Sequence, residues 1–218
     1  MLVGMKAPQN QPRPDDTRGR LIHAAFSEIY RNGFQPTGLD AVLAKAELTK
    51  GAIYYHFKNK AELGHAVFDE VVVPWIKERW IEPVRDAEDP LGEIIKRVRA
   101  LTRAPLRGLS LGCPLNNLVQ ESSGVDPKFR GKMQTLLDEW RDQFAKHLRR
   151  GQKAGFVDQD LRVTDAAAFI VASLEGVMGV VKPAPDLKAF RRAVSGFVSY
   201  LESLRPAYDP GSNNVEYA

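Results

Sequence analysis

Residues 49–60 carry side chains whose types and spacing suit contact with a polyanion. Lys50 and Lys60 place positive charge near the two ends of this segment, and Thr49 and His56 offer hydrogen-bonding groups. Phosphate oxygens of a nucleic acid accept such hydrogen bonds and attract such charges. Between them lie small residues that leave room for base edges and flat side chains with hydroxyl tips, namely Gly51, Ala52, Tyr54 and Tyr55. The segment therefore predicts a helix that contacts DNA.

The preceding residues supply the elements that would hold this helix against a duplex. Apolar residues recur at three- and four-residue spacing over 17–32, and Gly33 follows as a helix-ending residue. A second short helix is predicted from Leu39, and a third over 50–56 with Thr49 as its cap. Two short helices joined by a tight turn are the layout of a helix-turn-helix motif, whose second helix enters the major groove.

Residues 17–68, from TRGRLIHAAFSEIYRNGF through TKGAIYYHFKNKAELGHAVF, resemble the N-terminal DNA-binding domain of TetR-family transcriptional regulators. The resemblance implies that one group of residues approaches base edges: Lys50, Gly51, Ala52 and Tyr54. It implies that a second group contacts phosphates: Thr37, Thr49, Tyr55, His56 and Lys60. Glu47 departs from the family pattern, which usually has glycine in the turn. If Glu47 is left-handed, that conformation costs about 1 kcal/mol.

Several of these residues have a structural alternative. Tyr55 could be half buried in the core of the small domain, His56 could only cap the recognition helix, and Lys60 could be a solvated lysine. The core of this small domain is expected to contain four apolar residues: Phe26, Leu39, Val42 and Phe57.

The rest of the chain also predicts helices, so the fold class is all-α with about nine helices. The apolar periodicity and the helix-initiating prolines predict further helices over 60–81, 90–102, from Pro114, and over 126–150, 164–181 and 187–204. The predicted organisation is a flexible arm over 1–16, the helix-turn-helix DNA-binding domain over 17–60, an effector-binding and dimerisation domain over 61–205, and a flexible tail over 206–218. The role of the larger domain is implied by the resemblance.

The distribution of charge agrees with this division. The 218-residue chain has a net charge of +4, and residues 1–60 carry nine Lys and Arg against five Asp and Glu. The remaining residues carry 22 of each kind, so the whole positive excess lies in the predicted DNA-binding part. A basic module joined to a neutral one predicts that only the first meets a polyanion.

Composition excludes several other classes of protein. A single cysteine rules out an intramolecular disulfide framework, and no Cys/His cluster has the spacing of a zinc site. The sequence has no phosphate-binding glycine loop, no GxSxG and no HExxH, so we predict no enzyme, no metal and no cofactor. It has no signal peptide and no run of about 18 consecutive apolar residues, which predicts a cytoplasmic protein without a membrane span.

Two helices of the larger domain predict a homodimer. Ala168, Ala172 and Gly176 lie four residues apart in 164–181, and 187–204 has a heptad-like apolar stripe. Two such helices from each subunit would form a four-helix bundle about a twofold axis. The alternative is that both helices pack only within the monomer. A twofold dimer places two recognition helices one helical turn apart, so the double-stranded DNA operator should be nearly palindromic.

A further set of residues could bind a small-molecule effector, with core packing as the alternative for each aromatic side chain. The candidates are Trp75, Trp80, Cys113, Asn116, Asn117, Gln120, Glu121 and Trp140. The polar ones could instead satisfy backbone groups. Cys113 could be a sensor thiol, since a helix N-terminus lowers a thiol pKa, or a small buried apolar residue.

These features predict a dimeric repressor that a small molecule releases from its operator. Two alternatives remain open: a ligand-independent DNA-binding or architectural protein with the same fold, and an electrophile or redox sensor that uses Cys113. A cavity of mixed lining in the larger domain would favour the ligand-gated repressor, and a filled interior would favour the ligand-independent protein.

Overall fold

The computed structural model describes residues 16–103, 108, 110–182 and 186–207. Over these residues the chain forms helices and no strands, which confirms the all-α prediction. The helices are α1 Thr17–Asn32, α2 Leu39–Ala46, α3 Lys50–His56, α4 over 60–86, α5 Pro90–Leu101, α6 Pro114–Ser122, α7 Pro127–Lys153, α8 Val163–Val180 and α9 Leu187–Glu202. We call α1–α3 the head and α4–α9 the body. The predicted arm and tail fall on residues 1–15 and 208–218, outside the described residues.

Helices begin where side chains can satisfy their free N–H groups. The Asp16 carboxylate accepts a hydrogen bond from the Gly19 N–H at 2.8 Å, and Asn59 accepts one from the Glu62 N–H at 2.9 Å. Glu62 reaches back and accepts a hydrogen bond from the Lys58 N–H at 2.7 Å, which resembles a capping box closed one residue earlier than usual. These contacts fix the start of α4 directly after the predicted recognition helix.

Helix α4 continues past the boundary at residue 81 that the sequence predicted. It contains π-helical turns at Phe68–Val72 and Lys77–Ile81, each followed by a helical segment whose second residue is a proline, Pro74 or Pro83. Proline lacks an N–H and its ring clashes with the carbonyl four residues earlier. A widened turn in front of each proline relieves that clash, so the helix passes through Pro83 and ends at Asp86.

The N-terminus of α8 also differs from the sequence prediction. The helix begins at Val163, one residue before the predicted start at 164, with Arg162 in the capping position. Although the sequence suggested no such segment, α8 is long and apolar enough to cross a membrane by length and composition. Only 39% of that helix is buried within the chain, which leaves an apolar face uncovered.

Head and body share one apolar core. In the head, Leu21, Val42, Ile53 and Phe57 are buried, while Phe26 and Leu39 are partly buried against them. In the body, aromatic side chains dominate the centre: Phe68, Phe129, Trp140, Phe144 and Phe190. Burial of such large side chains is the main stabilising contribution to a helical fold of this size.

Candidate nucleic-acid interface

The turn between α2 and α3 takes the geometry that a helix-turn-helix motif needs. Glu47 ends α2 in the left-handed conformation, with φ 53° and ψ 47°, and it is the one non-glycine residue with positive φ among those described. The sequence had placed an atypical residue at this position, and the chain adopts the turn nonetheless at a cost of about 1 kcal/mol. Arg20 of α1 donates a hydrogen bond to the Ala46 carbonyl at 2.7 Å, which satisfies a free group at the end of α2.

Helix α3 presents a polar and aromatic face to solvent. Ile53 is buried and fixes the helix on the head, whereas Thr49 and Lys50 are exposed. Tyr54 is 61% exposed and Tyr55 is 85% exposed, so Tyr55 is not a core residue. Because most of each ring lies outside the core, contact of Tyr54 and Tyr55 with a ligand does not disturb the packing of the head.

Gly51 is not required by packing inside the chain. A methyl group at Gly51 would meet only the Thr49 hydroxyl oxygen, at 3.9 Å. Thr49 occupies the capping position of α3, but its side chain makes no capping hydrogen bond. A small residue and an unused hydroxyl at the exposed start of a helix fit close approach of a duplex to that helix end.

The cationic group of this face lies beside an acid. The Lys50 ammonium is 3.1 Å from the Asp40 carboxylate of α2, and both side chains are mostly exposed. Such surface pairs contribute roughly 0–1 kcal/mol. Lys50 can therefore leave Asp40 for a base or a phosphate at little cost.

Three residues expected at phosphates are engaged within the chain. Thr37 is buried, and its hydroxyl donates to the Gly33 carbonyl at 2.6 Å. The Lys60 ammonium donates to the Gln35 carbonyl at 2.7 Å and lies 5.0 Å from the centre of the Phe34 ring. His56 is half-buried, with its ring 4.9 Å from that of Tyr55. The phosphate contacts of all three residues stay predictions. To contact a phosphate, Thr37 and Lys60 would have to share or give up their hydrogen bonds to the Gly33 and Gln35 carbonyls.

The geometry of the head agrees with what similar proteins indicate. Residues 21–67 match the sequence model described as bacterial regulatory proteins, tetR family. Residues 89–197, half of the chain, match the model described as tetracyclin repressor-like, C-terminal domain. The chain belongs to the TetR family of transcriptional regulators. The resemblance seen in residues 17–68 is thereby confirmed, and this TetR-family regulator has both characteristic parts.

Individual relatives are distant. The transcriptional repressor DhaR of a Mycobacterium species is 23% identical over 204 residues, which cover 90% of this chain and 96% of DhaR. The transcriptional regulator AcuR of Cereibacter sphaeroides is 26% identical over 161 residues, which cover 70% of each chain. A TetR-family regulator from Cytophaga hutchinsonii has the same fold, with a TM-score of 0.77 at 21% identity over 90% of this chain and 98% of that one.

Six of the eight predicted effector residues fall into two groups in the body of this regulator. Trp75, Trp80, Cys113 and Trp140 line one cavity among α4–α8. Asn117 and Glu121 instead line a cleft between α1, α4 and α6. Both spaces have a free volume of about 10 Å³, enough for one water molecule. In this conformation they are therefore nearly filled, and their size does not favour the ligand-gated repressor over the ligand-independent protein.

Three of the polar candidates, Asn116, Asn117 and Gln120, are bonded within the chain. Asn116 donates to the Glu175 carbonyl at 3.4 Å and accepts from Gln120 at 3.4 Å. Asn117 donates to the Leu111 carbonyl at 2.8 Å and accepts from Lys182 at 2.9 Å. This agrees with the alternative that polar side chains of α6 satisfy groups of the protein itself.

The chemistry of Cys113 disfavours a sensor thiol in this conformation. The residue is 4% exposed, and burial, followed by the nearby Glu175 carboxyl, raises the pKa of the thiol well above its ordinary value. Because the thiolate is the reactive form, a raised pKa makes the thiol inert at neutral pH. The expected lowering by the helix N-terminus is outweighed by burial.

Two residues of this cavity were missed in the sequence: Arg79 and Glu175. Burial raises the pKa of the Glu175 carboxyl to about 7 and lowers the pKa of the Arg79 guanidinium. Arg79 follows Trp75 by four residues, and Glu175 is the only charged residue in the apolar second half of α8. This four-residue spacing and this isolated charge were the sequence signals that could have identified the two residues.

Glu121 has a different role from the one the sequence suggested. Its carboxylate accepts hydrogen bonds from the Phe34 N–H at 2.7 Å and the Gln35 N–H at 2.5 Å, in the loop that follows α1. The Phe34 ring packs in turn against Gly64 of α4, where a methyl group would clash, and lies 6.0 Å from the Phe129 ring of α7. Glu121 therefore joins the body to the head.

Proposed function

We propose that this TetR-family regulator is a dimeric repressor that binds a nearly palindromic operator and is released by a small molecule. The observation that carries the proposal is the uncovered face of α3, where Thr49, Lys50, Tyr54 and Tyr55 are exposed beside the open Gly51. The division into a DNA-binding domain over 17–60 and an effector-binding and dimerisation domain over 61–205 belongs to the same proposal, as does action in the cytoplasm.

Dimerisation is supported by the uncovered apolar face of α8. Ala168, Ala172 and Gly176 are all exposed, and nothing lies within 4 Å of a methyl group placed at Gly176. Phe169 is 52% exposed, and its ring lies 4.7 Å from that of Tyr200 on α9. Contiguous exposed apolar side chains around a row of small residues favour close packing of a second copy of the same helix pair.

We expect Phe169→Glu to convert the dimer to a monomer, because it places a charge in the centre of this apolar face. Light scattering after gel filtration should then give the mass of one chain, 24.3 kDa, where the wild type gives twice that mass. Val125→Glu is the matched control, since Val125 is also an exposed apolar residue but lies outside α8 and α9. A wild-type protein of single-chain mass would contradict the proposed dimer.

Signal transfer in this proposal runs through two connections between body and head. The start of α4 follows α3 directly, and Lys60 binds the Gln35 carbonyl. The Glu121 carboxylate of α6 holds the N–H groups of Phe34 and Gln35. An effector that moves α4 or α6 would therefore change the separation of the two heads, provided it binds the two conformations with different affinity.

Glu121→Gln should loosen the head from the body, because the amide loses the charge and one of its two acceptor positions. The expected loss is about 1–2 kcal/mol, so the Phe34 and Gln35 amides should exchange with solvent roughly tenfold faster. Hydrogen exchange measured by NMR would show this. Glu28→Gln is the control, since Glu28 bonds Lys45 and Asn32 within the head. Unchanged exchange rates at both amides would show that the Glu121 carboxylate does not hold the head to the body.

The proposed function is tested by selecting bound fragments from genomic DNA. A dimeric repressor should enrich a short motif with twofold symmetry, whose half-sites lie about 10 base pairs apart or a multiple of that. A motif without twofold symmetry would contradict the dimer on DNA, and random fragments would contradict sequence recognition. Genes beside the enriched sites would also suggest the chemical class of the effector.

A further inference from the structure

The cavity in the body collects all three tryptophans of the chain: Trp75 and Trp80 from α4 and Trp140 from α7. The Trp80 and Trp140 rings lie 6.0 Å apart, and Trp140 is only 1% exposed. The remaining apolar wall consists of Leu101, Leu174 and Met178. These flat aromatic and flexible aliphatic side chains offer an apolar surface to a small apolar or aromatic group.

One wall of this cavity is cationic. The Arg79 guanidinium carbon lies 5.4 Å from the centre of the Trp75 ring and 5.8 Å from that of Trp80, so the charge is held on two aromatic faces. Its electrostatic neighbours are Arg97, Tyr30 and Cys113, and in the described part of the chain no carboxylate pairs with it. A partly buried guanidinium without a counter-ion favours an anion brought by a ligand.

Two further polar atoms of the lining lack a partner. The Trp140 indole N–H is buried and donates to nothing among the described residues, and one carboxyl oxygen of Glu175 is likewise buried and unpartnered. Burial raises the pKa of Glu175 to about 7, so this acid keeps its proton at slightly acidic pH. The unpaired groups are then a cation, an N–H donor and a neutral acid, which together suit oxygen acceptors that carry negative charge.

We propose that this cavity binds a small carboxylate with a flat apolar body, whose carboxylate pairs with Arg79 and whose apolar part lies among Trp75, Trp80 and Trp140. This inference rests on the proposed effector-controlled repressor and names the chemical class of its effector. The free volume of about 10 Å³ holds a single water molecule. A ligand therefore needs a wider cavity, which shifts of the flexible side chains of Arg79 and Met178 would provide.

The proposal is tested with ligands of one shape and three charges: benzoate, benzamide and benzylamine, with propanoate as a smaller acid. Each is titrated into the full-length protein by calorimetry at pH 6.0, where Glu175 keeps its proton. Intrinsic fluorescence is recorded in parallel, because every tryptophan of the chain lines the cavity. We expect one of the two acids to bind at least about tenfold more tightly than benzamide and to change the fluorescence, whereas benzylamine does not bind.

Arg79→Met should remove this preference for the acid and leave the affinity for benzamide unchanged. Arg79→Lys keeps a charge and should retain part of it, which also covers failure of the methionine variant to fold. Arg99→Met, at an exposed arginine paired with Glu202, is the control. Tighter binding of benzylamine, full affinity in Arg79→Met, or no binding of either acid at about 10 mM would overturn the proposal. The DNA selection does not depend on these titrations, so failure of the ligand class is distinguishable from failure of the repressor.

Discussion

Tyr54→Ala and Lys50→Ala should each weaken operator binding by at least about 30-fold while leaving the fold intact. A good base contact contributes about 1–3 kcal/mol, and a dimer loses it in both half-sites, so the two losses together reach about 2–6 kcal/mol. Tyr54 is 61% exposed and Lys50 makes only an exposed ion pair with Asp40, so neither replacement opens the core.

Fluorescence anisotropy with a selected duplex measures this loss, and thermal unfolding checks the fold. Lys146→Ala is the matched control. Lys146 is exposed on α7, so this substitution removes one positive charge from the surface of the body and leaves α3 unchanged. Tyr54→Phe keeps the ring and removes the hydroxyl group, so it separates their contributions to operator affinity. Wild-type affinity in both Tyr54→Ala and Lys50→Ala would mean that α3 is not the element that contacts DNA.

Glu175→Gln should stabilise the protein at and above neutral pH and have little effect in acid. The pKa of this carboxyl rises from 4.5 to about 7 on folding because burial disfavours the charged form. Between these two pH values the folded protein binds one proton more than the unfolded chain. The free energy of unfolding of the wild type therefore falls as the pH rises from 4.5 to 7, by as much as about 3 kcal/mol, and stays low above pH 7.

Glutamine at this position carries no charge at any pH, so the variant lacks this contribution. Urea unfolding at pH 5 and pH 8 should show similar stability of the two proteins in acid and a more stable variant in base. Glu202→Gln is the control, because Glu202 is an exposed acid on α9 in an ion pair with Arg99. Equal stability of wild type and Glu175→Gln at pH 8 would show that the carboxyl is not buried as described.

Local features of the head could be predicted from the sequence because each has a short-range physical cause. The bounds of α1 and α3 follow from apolar spacing, from Gly33 and from Thr49, and the structure has the same bounds. The family resemblance marked Glu47 as the turn position that usually holds glycine, and Glu47 is left-handed in the structure. The predicted end of α4 was wrong. Pro83 normally ends a helix, but here the π-helical turn at Lys77–Ile81 relieves its clash and the helix continues.

The contact of Glu121 with the loop after α1 and the tryptophan-lined cavity could not be predicted, because both depend on contacts between residues distant in sequence. Glu121 lies more than 80 residues from Phe34 and Gln35, and no local pattern shows that its carboxylate faces their N–H groups. Arg79 and Glu175 meet the tryptophans only after α4, α7 and α8 pack together. The polar run in α6 looked like one binding site, whereas its members divide between a cleft, a joint and internal hydrogen bonds.

The central claim is that this TetR-family regulator recognises a specific DNA sequence through the exposed face of α3. The most direct test is an anisotropy titration of the wild-type protein, at physiological salt, with a selected duplex and with a shuffled duplex of the same composition. The account predicts that the selected duplex binds at least about 1,000-fold more tightly. Equal affinity for the two duplexes would contradict it.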